Sequence, residues 1–409
     1  AVLPGTDPAA GEVVLTAHLC HQSAGANDNA SGSASILEVG RALQAAVSRG
    51  TLPRPRRSIR FLWLPEIAGA QAWLTRNPEI AKRLVAGIHM DMVGGRLSAI
   101  RGTFHLSRTA ETLPHVIDVV AQAFFDDVVS ASSRYAERGG DPREGLAWPP
   151  GSREAFLGDV RPLELGSDHQ VFEESSFGVP MVYFHDWPDV TIHTNKDLPE
   201  NLDETKLGRV SYLGAGIAWT LAALPEAEAP RLLAVARATV RERVGEAGLR
   251  AELLGDDPDA VLVRREALAS ASALLRSLGT LWPGAAAGAR EAEVELARSA
   301  TPPSTQKRAQ AVESRDGRIP VRNPEVRGPL DVYYYDHLEE VLGPGFMAPA
   351  LAGRAEGDVL GYECLNLVDG RRSVSDIRDV LTGRYASVPL REVAEYLDLL
   401  VKAKVVTWR

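Results

Sequence analysis

The apolar positions of the chain follow two alternating rhythms. "EVVLTA" (12–17) is a short β-branched run that reads as a buried strand, and a Gly/Asn/Ser loop follows it. In "SASILEVGRALQAAVSRG" (33–50) the apolar residues Ile36, Val39, Leu43 and Val47 recur at helical spacing. Gly50 supplies the stop signal and Ser31 an N-cap. "RSIRFLWLP" (57–65) is the next buried strand. "AGAQAWLTRNPEIAKRLVA" (68–86) is helical around a break near Pro78, and "GIHMDMV" (87–93) is a third strand. "ETLPHVIDVVAQAFFDDVV" (111–129) predicts a helix, "VPMVYFHDW" (179–187) a strand, and "DETKLGRVSYLGAGIAWTLAAL" (203–224) a closing amphipathic helix. Strands alternating with helices across short loops indicate an α/β fold built on a mostly parallel sheet.

Beyond residue 225 the pattern changes. From 226 to about 300 Ala, Leu, Arg and Glu dominate with helical periodicity, as in "RLLAVARATVRERV" and "REALASASALLRSL". "SATPPSTQKRAQAVESRDG" (299–317) reads as a polar linker or exposed loop. "YECLNLVDGRRSVSDIRDVLTGRYASVPLREVAEYLDLLVKAKVVTW" (362–408) reads helix, turn, helix, helix, strand, with Ser373 and Ser375 able to cap the second helix. That order suggests a small winged-helix-like module. The expected organisation is three parts: 1–225, 226–318 and 319–409.

Charge decides what such a module does. The chain of 409 residues carries a net charge of −9 and no Lys/Arg-rich tract, and Glu392, Glu395 and Asp398 lie on the module's last helix. A nucleic-acid partner is therefore not expected, and the module reads as a packing or dimerisation element of a homo-oligomer. No window is long and apolar enough to cross a bilayer, so no membrane partner is expected. The two cysteines, Cys20 and Cys364, lie far apart and suggest no disulfide framework. This is compatible with a reducing compartment, and a cytoplasmic location is the expectation. "AVLPGTDPAAGEVVLTAH" has no initiator Met and no signal-peptide pattern, and reads as a chain that begins inside a domain.

Ligands of open α/β sheets gather beyond the carboxyl ends of the strands. The chemically suggestive residues keep to that rim: His18 and His21 after the first strand, Glu66 after "FLWLP", Asp91 after "GIHM", and His193 in the later loop "VTIHTNKDLPENLD". Asp28 sits in a Gly-Ala-Asn-Asp loop whose small residues let a carboxylate approach an ion. A hydrolytic zinc site needs this kind of N/O ligand set, with a carboxylate base beside an open position. His89, His105, His115, His185 and His337 read as structural.

Five segments in order carry a resemblance: "AHL…GANDNASG", "FLWLPEIAGAQAW", "IHMDMVGG", "GSDHQVF…GVPMVYF" and "IHTNKDLPENLD". Over roughly residues 10 to 225 the chain resembles the zinc aminopeptidase group that also includes glutamate carboxypeptidases and glutaminyl cyclases. It is most similar to a subgroup with a His-Leu-Cys-His segment before the Ala-Asn-Asp-Asn loop. The resemblance implies a three-layer αβα sandwich with a mixed sheet. It also implies that Asp28 bridges two zinc ions, with Asp91 and one histidine of the 18–21 pair completing one metal. His193 and a glutamate would complete the other. A glutamate would act as general base, and the Asp28–Asn29 peptide bond would be cis. Asp168 and His169 of "GSDHQVF" match a loop near the pocket and would take roles on the substrate side or in support of the ligands.

The chain departs from that pattern twice. Where the group has His-x-Asp, with the Asp orienting the ligand histidine, position 20 is Cys and a second histidine follows. Either His18 or His21 is then the ligand, and Cys20, like Asp168 and His169, is a candidate on the substrate side or in support of the ligands, its thiol reading as packed and inert rather than as a thiolate. Where the group has two adjacent glutamates, base then ligand, the chain reads Glu66-Ile67. Glu66 falls on the base position, and Ile67 cannot bind a metal, so a single-zinc site becomes an alternative to a two-zinc one. The expected function is a zinc-dependent exopeptidase, an aminopeptidase acting on peptide or aminoacyl substrates. The alternatives are a single-zinc amide-processing enzyme resembling glutaminyl cyclases and a degenerate peptidase that binds peptides without turnover.

Overall fold

The structure, a computed structural model, describes residues 1–21, 25–148, 151–299, 315–332, 335–344, 346–347 and 349–409. Seven strands form one sheet: β1 (Val2–Leu3), β2 (Glu12–His18), β3 (Ser58–Leu64), β4 (Leu84–Met90), β5 (Thr103–Ser107), β6 (Gly158–Arg161) and β7 (Met181–Trp187). Their order is β1-β3-β2-β4-β7-β5-β6. β2 pairs parallel with β3 and β4, β4 with β7, and β5 with β6. β1 on β3 and β5 on β7 are antiparallel. The centre of the sheet is therefore the parallel part that the apolar runs predicted. β1, β5 and β6 were not legible: β1 has two residues, and β5 and β6 interleave His105, Asp159 and Arg161 with their apolar positions.

Helices α1 (Gly32–Ser48), α2 (Ala68–Arg76), α3 (Pro78–Ala81), α4 (Leu97–Ile100), α5 (Ile117–Arg138), α6 (His169–Glu173) and α7 (Glu204–Ala223) accompany the sheet. Side chains along a strand alternate between faces, and that alternation defines the layers. Phe104 of β5 and Phe184 of β7 stack on each other, and both rings approach Phe125 of α5. The neighbouring positions Tyr183 and His185 point the opposite way, and Tyr183 stacks on His169 of α6 at 4.2 Å. Helices thus cover both faces, as the αβα expectation requires. Ser31 does not cap α1: its hydroxyl donates to the Asn27 carbonyl at 2.7 Å. The Gly32 N–H is taken instead by Asn29 Oδ1 at 2.9 Å.

Two units divide the chain. One comprises 1–109, 117–173 and 179–228, and the other 110–116, 174–178 and 229–409. The second contains α8 (Ala229–Leu254), α9 (Asp259–Leu281), α10 (Ala286–Ser299), α11 (His337–Leu342), α12 (Gly357–Asn366), α13 (Val374–Arg384) and α14 (Leu390–Lys402). Its strands are β8 (Pro320–Arg322), β9 (Asp331–Val332), β10 (Tyr335–Asp336) and β11 (Val406–Trp408), with β8 antiparallel to β11. Helices α12, α13 and α14 and then β11 follow in the order the sequence suggested. Ser373 caps α13 in a reciprocal capping box with Asp376. Most of the linker expected at 299–317 lies outside the described residues.

The helical extension and the terminal module, expected as separate parts, share this second unit. α13 is clasped by α9: Arg378 Nη2 donates to Asp259 Oδ1 at 2.9 Å, and Arg384 pairs with Glu266. A Cβ on Gly383 would lie 2.4 Å from Glu266 Cγ, so the helices touch where α13 has no side chain. Cys364 is fully buried in the core of this unit among Leu360, Leu365, Leu397 and Leu400.

Candidate metal centre

β2 ends on His18, whose side chain is 2% exposed. Its Nδ1–H donates to the Cys20 carbonyl at 3.0 Å, which leaves Nε2 facing inward. A main-chain carbonyl thus does the orienting work for which a carboxylate was expected at position 20. His18 Nε2 lies 3.0 Å from Asp28 Oδ1 and 3.1 Å from Asp91 Oδ1. The other oxygen of Asp28, Oδ2, lies 3.2 Å from His21 Nε2 and 3.1 Å from His193 Nε2. His18 and His21 thus face different oxygens of the same carboxylate. Two groups of metal-competent donors result: His18 with Glu66 and Asp91, and His21 with Asp28 and His193.

The loop that presents Asp28 is built from its own asparagines. Asn29 donates to the Met90 carbonyl and accepts from the Gly32 and Met92 N–H groups, fixing the loop to the end of β4. Asn27 donates to Asp186 and Asp189 and accepts from the Gly94 N–H. A Cβ on Gly32 would sit 2.2 Å from the Met90 carbonyl oxygen, so only glycine lets the loop come this close. The Asp28–Asn29 peptide is cis, as the resemblance implied.

Three supports were not found from sequence. Asp197 accepts both the Asn27 N–H at 2.7 Å and the Asp28 N–H at 2.9 Å, tying the Asp28 loop to the His193 loop. Its only signal is its place four residues after His193. Ser167 donates to Asp91 Oδ2 at 2.7 Å and lies 3.4 Å from Glu66 Oε1 and 2.8 Å from His89 Nε2. The third is a fully buried ion pair between Lys206 and Asp186, which also accepts from the Gly95 N–H.

Glu66 follows β3 in a tight turn. Ile67 has φ 56° and ψ −67°, an unusual conformation for a branched residue, and its side chain is buried. Asp168 accepts the Ile67 N–H, so it supports the turn that aims Glu66. Cys20 is exposed and its Sγ accepts the Glu66 N–H at 3.0 Å, which corrects the expectation of a packed thiol.

His169 is also corrected. It is fully buried, with Nε2 2.7 Å from the Glu164 carbonyl and its ring on Tyr183, and so belongs to the sheet packing. Of the histidines read as structural, His89 bonds Thr16 and Ser167, His105 bonds Asp159 and the Trp187 carbonyl, and His185 bonds Glu164 and Ser107.

Burial pushes the His169 imidazole down to about 3. In an unfolded chain it titrates near 6.5. Below about pH 6.5 the unfolded chain takes up this proton first, so stability falls with pH by about 1.4 kcal/mol per unit until about pH 3. His169→Phe removes this contribution. Urea unfolding is expected to show the variant gaining on the wild type between about pH 6.5 and about pH 4.5. A constant gap would contradict it.

The electrostatics around the two donor groups call for positive charge. Burial alone would lower the His18 pKa, yet Asp91, Asp28 and Glu66 push it up to about 12. Asp28 is held low against its burial by His18, His21 and His193. Burial and then Asp91 raise Glu66 to about 8, with His18 opposing. Three imidazoles and three carboxylates on one rim form an N/O donor set of the kind zinc takes. Fold and site together define a metallopeptidase-like hydrolase.

The model of peptidase family M28 matches residues 1–217, more than half of the chain, and the chain belongs to that family. A curated protein of Clostridium acetobutylicum, described as having an aminopeptidase-like domain, is 36% identical over 83 residues, 20% of this chain and 17% of that protein. Among solved structures, a Clostridium acetobutylicum protein described as a peptidase is similar at 15% identity and a TM-score of 0.37, over 100% of this chain and 60% of that one. The zinc aminopeptidase BSAP of Bacillus subtilis is similar at 19% identity and a TM-score of 0.38, over 55% and 49%. A glutaminyl cyclase of Macrostomum lignano is similar at 21% identity and a TM-score of 0.38, over 52% and 67%. The chain thus spans a small part of the curated relative and less than two thirds of the first two structures.

Proposed function

We propose that the protein is a zinc-dependent exopeptidase, an aminopeptidase, with a site for two ions. The observation that carries this reading is the split of Asp28, one oxygen toward His18 and the other toward His21 and His193. His18, Asp91 and Asp28 would hold one ion. His21, His193 and Asp28 would hold the other, so that His21 supplies the donor that Ile67 cannot. The zinc, when bound, supplies Lewis acidity toward the scissile carbonyl and acidifies water.

The remaining work falls to the chain. Glu66 takes the proton of the attacking water on its carboxylate and returns it to the departing amine nitrogen. Ser167 holds Asp91 through Oδ2, leaving Oδ1 toward His18. Asp197 holds the backbone of Asn27 and Asp28, so the shared carboxylate keeps its orientation.

Metal content and activity test the reading together. The zinc-loaded protein is expected to hydrolyse aminoacyl 4-nitroanilides and to leave their N-acetylated forms intact, and the chelated protein to hydrolyse neither. Cyclisation of N-terminal Gln peptides in place of hydrolysis would overturn it. His21→Ala is expected to lower zinc from about two ions per chain to about one by elemental analysis after dialysis. Retention of both ions would remove His21 from the site.

A further inference from the structure

We propose that Cys20 is a positioning residue that couples the ligand histidine His18 to the proton acceptor Glu66. This rests on the reading of Glu66 given above. Cys20 touches both partners with different atoms. Its main-chain carbonyl takes the His18 Nδ1–H at 3.0 Å, and its Sγ takes the Glu66 N–H at 3.0 Å. The imidazole and the base are thereby referenced to one residue, and a shift of either is felt by the other.

The Glu66 turn requires such a hold. Ile67 adopts a left-handed φ of 56°. A non-glycine residue there is strained and persists only where its surroundings over-determine it. Two successive amides are fixed by side-chain acceptors from different parts of the fold: Glu66 by Cys20 after β2, and Ile67 by Asp168 at the start of α6. Asp168 is fully buried and anchors the turn to the interior, whereas Cys20 anchors it to the ligand loop. The Leu19 N–H also donates to the Leu64 carbonyl at 2.9 Å, so the ligand loop and the end of β3 already run side by side. Cys20 extends that alignment by two residues, to the base itself.

The test compares Cys20→Ala, which removes the acceptor, with Cys20→Ser, which keeps a shorter one, in the full zinc-loaded chain. Cys20→Ala is expected to lower kcat by about 10- to 100-fold, the range for groups that orient a metal site from behind its ligands. KM and zinc content are expected to stay unchanged, and amide hydrogen exchange at residue 66 to accelerate by at least about tenfold, the amide having lost its only acceptor among the described residues. Cys20→Ser should recover most of both effects. Unchanged exchange at residue 66 in Cys20→Ala overturns the proposal, as does faster exchange with an unchanged kcat. Loss of zinc from Cys20→Ala also overturns it, by making Cys20 a support of the metal alone. A wild type that hydrolyses no peptide overturns the peptidase reading and the coupling to catalysis with it, while exchange at residue 66 still reports whether the thiol holds the turn.

Discussion

Replacing Glu66 by glutamine is expected to lower kcat on aminoacyl substrates by about 10²- to 10⁴-fold, the contribution of a positioned general base. The substitution keeps the size and the turn, since the hold on residue 66 is through its N–H and not its carboxylate. Zinc content and KM should therefore remain close to wild type, and the loss should sit in kcat. Glu66 shares its donor group with His18 and Asp91, which makes the outcome discriminating. If the carboxylate were a ligand rather than a base, Glu66→Gln would release metal and elemental analysis would record it. A variant with full zinc and full kcat would remove Glu66 from the chemistry altogether.

The second large effect is one of stability. Lys206 and Asp186 form an ion pair with 2% and 0% of their side chains exposed. Burial pushes Asp186 up and Lys206 down, each opposed by the other's charge. Lys206→Met leaves the carboxylate buried and uncompensated, which costs about 3–5 kcal/mol. Urea unfolding followed by circular dichroism measures it. Because Asp186 also accepts from Asn27 and the Gly95 N–H, the variant should bind zinc more weakly as well. Removing both charges, as Lys206→Met with Asp186→Leu, should recover part of the stability. A loss below about 1 kcal/mol in the single variant would show that the pair is not what anchors the loop.

Much of the first unit is legible in the chain. β2, β4 and β7 announce themselves as apolar runs because they are buried on both faces, β3 by its Phe61–Leu64 run although it is only partly buried, and α1, α5 and α7 by helical spacing. The polar residues at the ends of those strands point to the site because strand ends are fixed by the strands themselves. What sequence cannot convey is which atom faces which. His18 and His21 read as rivals because spacing along a chain does not show that a carboxylate has two oxygens to offer. Ser167, Asp197 and Lys206 escaped notice because their importance lies in hydrogen bonds to residues more than ten positions away or to backbone amides. His169 misled for the opposite reason: it neighbours Asp168 in sequence, but the first turn of α6 sends it into the packing on Tyr183.

The division of the chain also constrains how such a protein can be assembled from parts. The second unit begins in earnest at residue 229, yet it claims 110–116 and 174–178 from the middle of the first. Glu363 of α12, fully buried, accepts from the Thr112 N–H and from the Tyr385 hydroxyl, and the Glu174 carboxylate accepts from the Gly328 N–H. No single cut in the gene therefore yields either unit whole. A truncation at 228 or at 318 would strip buried carboxylates of their donors, the Thr112 N–H from Glu363 and the Gly328 N–H from Glu174.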